Sequence, residues 1–253
     1  LKALSLEPVL IDAHPENRLQ PIAADLKGLN AQGLMVASPA NPTGTMLDHA
    51  AMSSLIGAAQ DAGAAFISDE IYHGIEYEAK AVTALEITDE AYVINSFSKY
   101  FSMTGWRIGW MVVPEDHVRI IERLAQNMFI CAPHISQVTA LAAMDCHEEL
   151  RANMKVYSDN RALMLEELPK AGLGKLAPPD GAFYVYVDVS EYTDDSRQFA
   201  TEILEQAGVA VTPGLDFDSK RGHQTLRLSY ARSTEDIIEG LTRLKAFMSN
   251  RRA

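Results

Sequence analysis

The chain has 253 residues, 47% hydrophobic and 22% charged, which gives it enough apolar mass for a packed core and excludes a disordered tail. Its 22 Lys and Arg against 34 Asp and Glu leave a formal charge of -12, which argues against a nucleic-acid-binding surface as its main business. No apolar run approaches a membrane span, and the two cysteines, Cys131 and Cys146, make neither a disulfide framework nor a CxxC metal pair. The expectation is a soluble, acidic enzyme of a reducing cytoplasm.

The chain opens Leu1-Lys2-Ala3-Leu4-Ser5-Leu6, with no initiator Met and no basic-then-apolar signal, and reads as a sequence cut within a helix. Residues 34–38 form a short apolar run ending in the turn cluster Pro39-Ala40-Asn41-Pro42-Thr43-Gly44. Met52, Leu55, Ile56 and Ala59 follow at helical spacing, and Gly63 ends that helix. Residues 64–68 are the next apolar run, closing on Asp69-Glu70. Residues 91–95 and 106–113 are the third and fourth. Apolar runs alternating with amphipathic helices predict a largely parallel sheet with helices on its faces, an α/β architecture. The near-continuous apolarity of the runs predicts strands buried on both faces.

The second half changes character. Residues 135–168 read as two helices, the second carrying Leu150, Met154, Tyr157, Met164 and Leu168 on one stripe that Arg161 interrupts. A strand over 182–189, a helix over 197–207 and strands over 209–212 and 225–230 follow. Ser233 and Asp236 resemble a capping box, and the last helix has Ile237, Leu241, Leu244 and Met248 on its buried face. This is a smaller α+β unit, which puts the domains at 1–150 and 151–253.

The candidate chemistry sits at the carboxyl ends of the predicted strands, where open α/β sheets bind ligands. Taken singly, each cluster has an ordinary reading. Asn41-Pro42-Thr43-Gly44 is a turn composition, Asp69-Glu70 a solvated pair or cap, and Lys99 a loop charge. Arg107 is harder to explain this way, since a guanidinium between Trp106 and Ile108 in a buried strand needs an anionic partner.

Together the clusters form a pattern. Ser96-Phe97-Ser98-Lys99-Tyr100-Phe101-Ser102-Met103-Thr104-Gly105-Trp106-Arg107-Ile108-Gly109 resembles, position for position, the lysine signature of the class I/II aminotransferases. These are fold type I enzymes dependent on pyridoxal 5′-phosphate (PLP). Asn41-Pro42-Thr43-Gly44 and Asp69-Glu70-Ile71-Tyr72 resemble the two motifs that precede that signature, in the right order, and Leu226-Arg227-Leu228-Ser229 resembles the C-terminal carboxylate-binding strand. The resemblance covers essentially the whole chain.

It implies a role for each residue. Lys99 is similar to the amine that binds the cofactor covalently and, once displaced by substrate, moves the α-proton. Asp69 is similar to the aspartate paired with the pyridine nitrogen, which keeps the ring protonated and able to accept electrons. Tyr72 and Asn41 match residues that hydrogen-bond the ring's phenolic oxygen. Ser96, Ser98 and Arg107 resemble phosphate ligands, hydroxyls on a turn beside a guanidinium. Arg227 matches the arginine that clamps the substrate α-carboxylate, with Asn41 beside it.

The resemblance also implies a homodimer and amino acid and 2-oxo acid substrates, with no metal, nucleic acid or membrane partner. Measured against the family pattern the chain lacks an N-terminal portion, including a glycine-rich phosphate loop, and is expected to expose apolar surface there. A carbon–sulfur β-lyase on the same scaffold and the aminotransferase-like sensor domain of a transcription regulator share these motifs. No cation occurs in residues 126–133, where some relatives bind a distal carboxylate, which favours a neutral or aromatic amino donor. His73 reads as a surface histidine, Cys131 as a small buried thiol, and Phe183, Tyr184 and Tyr186 as core.

Overall fold

The computed structural model describes residues 2–252; Leu1, where the sequence reads as a cut, lies outside them. The chain separates into two compact units. One comprises Leu1–Pro39, Met46–Gly74 and Lys80–Asp145, the other Ala40–Thr45, Ile75–Ala79 and Cys146–Ala253.

The first unit is built on a four-stranded sheet in sequence order, β1 (Gly33–Ala37), β2 (Ala65–Asp69), β3 (Tyr92–Ser96) and β4 (Gly109–Val112). The first three strands are parallel and β4 runs antiparallel to β3. Helix α1 (His49–Asp61) starts where the Asp48 carboxylate accepts the Ala51 N–H at 2.8 Å. Its predicted stripe of Met52, Leu55, Ile56 and Ala59 is fully buried, against Leu34, Val36, Phe66 and Val93. That packing covers one face of β1. Met35 alternates to the other face and stays 61% exposed, so the expectation of a strand buried on both sides fails here.

Two further elements depart from expectation. The strand predicted over 106–113 shrinks to β4, because residues 104–106 form a short 3-10 turn that ends on Arg107 in the left-handed region, at φ 51°. Helix α2 (Val118–Met128) has no counterpart in the sequence reading; its Ile120, Leu124 and Met128 are exposed, and Ile121 and Ala125 are half-buried. Helix α3 (His134–Ala143) completes the unit, with Ala140 packed against Phe97 and Met103.

The second unit folds around an antiparallel three-stranded sheet of order β5 (Tyr184–Asp188), β7 (Thr225–Ser229), β6 (Thr212–Pro213). Helices α4 (His147–Lys170), α5 (Ser196–Ala207) and α6 (Thr234–Arg252) pack with it. Leu168, Val185, Val187, Phe199, Leu226 and Leu244 form the centre of the core. The Asp195 carboxylate caps α5 by accepting the Arg197 and Gln198 N–H groups, and Gly208, at φ 66°, ends it. Ser233 accepts the Asp236 N–H at 3.2 Å, which is one arm of the expected box. The predicted inward face of α6 is buried at all four positions.

Arg161, the interruption in the α4 stripe, has a reason. It donates to the Pro179 carbonyl at 2.7 Å and to the Glu78 carboxylate at 3.1 Å, and lies 4.9 Å above the Tyr77 ring. The strand expected over 209–212 survives only as β6, two residues long. No described helix is long and apolar enough to cross a membrane.

Candidate active site

The site residues fall into two groups, one in each unit. In the first unit, β2 delivers Asp69 at its carboxyl end, in register with Ala37 of β1 and Ile94 of β3. Its carboxylate is half-buried and accepts the Ile71 N–H at 3.2 Å. Burial pushes the Asp69 carboxyl above its usual range, while the Ile71 N–H and the Lys99 charge pull it back and the Glu70 charge adds a further push. Tyr72 follows in the turn, 2% exposed, and the Lys99 ammonium sits 5.5 Å from the centre of its ring.

Lys99 lies in the turn after β3, which is pinned by its own hydroxyls. Ser96 Oγ accepts the Ser98 N–H at 3.0 Å, Thr104 Oγ1 donates to the Ser98 carbonyl at 2.7 Å, and Ser102 N donates to the Lys99 carbonyl at 3.0 Å. Two glycines admit this packing. A Cβ on Gly109 would stand 2.6 Å from the Asn95 carbonyl oxygen, and one on Gly74 would stand 2.6 Å from the Tyr100 ring.

Arg107 corrects the sequence reading. It is exposed and caps a turn, not buried in a strand, so no desolvation cost has to be explained. Its Nη1 donates to the Thr104 carbonyl at 2.9 Å and reaches Ser98 Oγ at 3.4 Å. Ser96, Ser98 and Arg107 are thus linked in series, Ser96 Oγ to Ser98 N and Ser98 Oγ to Arg107, with the two serines half-buried and Arg107 exposed.

The second unit holds Asn41 and Arg227. Residues 40–45 make a closed turn, Ala40 N to Thr45 O at 3.0 Å and Gly44 N to Ala40 O at 2.7 Å. A Cβ on Gly44 would meet Pro179 at 2.4 Å, so the turn is locked against that segment. Asn41 Oδ1 accepts from Arg227 Nη1 at 2.8 Å, and Thr212 Oγ1 accepts from Nη2 at 3.2 Å. The guanidinium lies between the Tyr184 and Phe217 rings, 4.4 and 4.6 Å from their centres. Its Nε is buried and has no partner.

Several of these groups escaped the sequence reading. Thr212, Phe217 and the stacking role of Tyr184 carry no motif that alternation or spacing displays. His73 is half-buried, with its side chain 18% exposed, and Glu70 is 1% exposed, so neither is the surface group expected. Cys131, expected buried, is exposed.

The donor set of the first unit fits PLP. A carboxylate destabilised by burial beside a lysine gains from a protonated ring nitrogen, and two hydroxyls and a guanidinium on one turn suit a phosphate dianion.

Comparison with known proteins points the same way. The sequence model of the family described as aminotransferase class I and II matches residues 5–244. A crystal structure of a provisionally assigned aminotransferase from Silicibacter pomeroyi is 75% identical, with a TM-score of 0.97 over 98% of this chain and 67% of that one. An aminotransferase structure from Mycobacterium tuberculosis is 41% identical, with a TM-score of 0.90 over 94% of this chain and 63% of that one. Among characterised sequences, the valine–pyruvate aminotransferase of Mycobacterium tuberculosis is 41% identical across 98% of this chain. The chain spans 66% of that relative's length. The chain belongs to the class I and II aminotransferases and has their fold type I architecture.

Proposed function

We propose that the chain serves a PLP-dependent aminotransferase that moves an amino group between an amino acid and a 2-oxo acid. The observation that carries the reading is the Lys99 ammonium set over the Tyr72 ring, with its charge acting on the half-buried Asp69 carboxylate.

PLP, when bound, supplies the electron sink for the substrate's Cα carbon. The chain's residues do the rest. Asp69 holds a proton on the ring nitrogen, because a buried carboxylate favours a cation beside it. Tyr72 would donate to the ring's phenolic oxygen, and Asn41, bonded to Arg227, would serve the substrate carboxylate with it. Ser96, Ser98 and Arg107 bind the phosphate. Lys99 takes the proton from Cα on one side of the reaction and returns it on the other. Arg227 binds the carboxylate that every amino acid and oxo acid substrate shares, and its two flanking rings keep water from its faces.

For the amino donor we propose a neutral amino acid. The absence of cations from residues 126–133 and the similarity to a valine–pyruvate aminotransferase support it. A spectrophotometric screen of amino donors tests it, with valine expected to outpace aspartate; the reverse order would overturn the preference. We further propose a homodimer, supported by the exposed apolar residues of α2, and a reducing cytoplasm, supported by the two free cysteines.

The test of the central reading is borohydride reduction of the PLP-loaded protein. Cofactor fixed to the peptide containing Lys99 is the expected result, and label on a different lysine overturns the assignment.

A further inference from the structure

Two residues the chemistry does not use stand next to those it does. Asp69 and Tyr72 face the cofactor in the reading above, while Glu70 and His73, each one position later, belong to a different network. Glu70 is 1% exposed, and an ionised carboxylate so placed is costly unless its oxygens are satisfied. They are satisfied from three directions. Ser68 Oγ donates to Oε1 at 2.9 Å, the Ala84 N–H donates to the same oxygen at 2.8 Å, and His73 Nδ1 lies 3.4 Å from Oε2.

His73 carries the network onward. Its Nε2 is 3.0 Å from the Ser38 carbonyl oxygen, which can only accept, so Nε2 bears a hydrogen and donates it. Ser38 lies just beyond β1. Its N–H donates to the Asp69 carbonyl at 3.2 Å and its Oγ accepts the Leu47 N–H at 3.0 Å. The imidazole thus bridges the end of β1 to the turn after β2, and Glu70 ties that turn to the segment starting at Ala84.

We propose that Glu70 and His73 form a latch that positions Asp69 and Tyr72 for the cofactor. The inference rests on the PLP reading above. The latch fixes the 69–73 turn through the Ser38 and Ala84 contacts. These are positioning residues, since neither touches the cofactor in this reading.

The donor toward Ser38 gives a signature that side-chain bulk alone would not, since His73→Gln keeps a donor and His73→Ala has none. PLP affinity of the full enzyme is measured by equilibrium titration of the apoprotein, alongside its thermal midpoint, for wild type, His73→Ala, His73→Gln and Glu70→Gln. We expect His73→Ala to weaken PLP binding about tenfold. Glu70→Gln keeps an acceptor for Ser68 and Ala84 and should stay within about threefold of wild type. His73→Gln should recover most of the loss, and kcat should fall in His73→Ala with KM for the amino donor little changed.

Equal PLP affinity in wild type and His73→Ala overturns the latch, as does a His73→Gln variant that binds no better than His73→Ala. If His73→Ala does not fold, His73→Leu, which keeps bulk without a donor, is read in its place. Failure of the wild type itself to bind PLP would instead overturn the reading on which the latch rests.

Discussion

Asp69 carries opposing demands on stability and function. Its carboxyl is pushed above the ordinary value of 3.8, first by burial. The folded state therefore binds more protons than the unfolded chain in the interval above 3.8, and stability falls as pH rises through that interval. Asp69→Asn escapes this cost. The apoprotein variant should match or exceed the wild-type thermal midpoint at neutral pH and lose the fall between acid and neutral pH. With PLP and substrate the same change should cost on the order of a hundredfold in turnover, or ~3 kcal/mol, because the amide cannot hold a charged ring nitrogen. Wild-type turnover in Asp69→Asn would reduce the aspartate to a loop residue. Arg227→Ala should lower kcat/KM by about 30-fold to 1,000-fold for every amino acid donor, and leave an amine lacking the carboxylate nearly unaffected. Arg227→Lys should recover only part, since an ammonium cannot make the two-pronged contact and loses the stacking on Tyr184 and Phe217. Residue types were the legible part at this scale. Lys99, Asp69 and Arg227 stand in motifs whose order is visible in one dimension. The setting of Arg107 was not, because a left-handed backbone at a non-glycine residue leaves no compositional mark. Glu70 and His73 looked like surface charges for a similar reason: what buries them is Ser38 and Ala84, distant in sequence.

Elements were legible where one face is buried by a neighbour close in the chain. The α1 and α6 stripes were read correctly because helical periodicity and burial coincide there. Helix α2 went unread although Ile121, Leu124, Ala125 and Met128 recur at helical spacing, so its periodicity was legible in the sequence. The strand read over 209–212 is formed only at Thr212–Pro213, where Thr212 pairs with Arg227 and Pro213 with Leu226. A polar residue inside α4 offers a test of how that helix is fixed. Asn160 is fully buried, and its amide donates to the Tyr230 carbonyl at 3.0 Å and the Arg232 carbonyl at 2.8 Å, just past β7. Asn160→Ala leaves two carbonyls unsatisfied, at about 1–3 kcal/mol. Asn160→Asp is nearly the same shape but sets a charge against two acceptors, and should cost more, roughly 3–5 kcal/mol. Denaturant titration should rank the variants wild type, Ala, Asp; an Asp variant as stable as wild type would mean those hydrogen bonds do not hold α4.

At the scale of the molecule, the composition predicts a packed core, and each unit has one. It says nothing of assembly, which depends on where the remaining apolar side chains lie. On α2 they lie outside: Ile120 is 60% exposed, Leu124 55% and Met128 69%, and Phe129 and Ile130 continue the patch at 62% and 78%. Scattered apolar residues are normal on a surface, but a contiguous row on one helix marks a contact with another chain or segment. A proposed homodimer that uses this row makes a selective prediction. Because these side chains bury little within one chain, replacing two of them, as in Ile120→Glu with Leu124→Lys, removes little of the apolar burial that holds the unit together. The thermal midpoint of the isolated protomer should move by no more than a few degrees. The association should suffer far more, since each substitution would put a charge into a desolvated interface. Sedimentation of the active, PLP-loaded enzyme should give a dimer for wild type and a concentration-dependent monomer for the double variant. A wild-type enzyme that sediments as a monomer at every concentration refutes the dimer. A double variant that remains dimeric moves the interface elsewhere on the surface and leaves the α2 row to another partner.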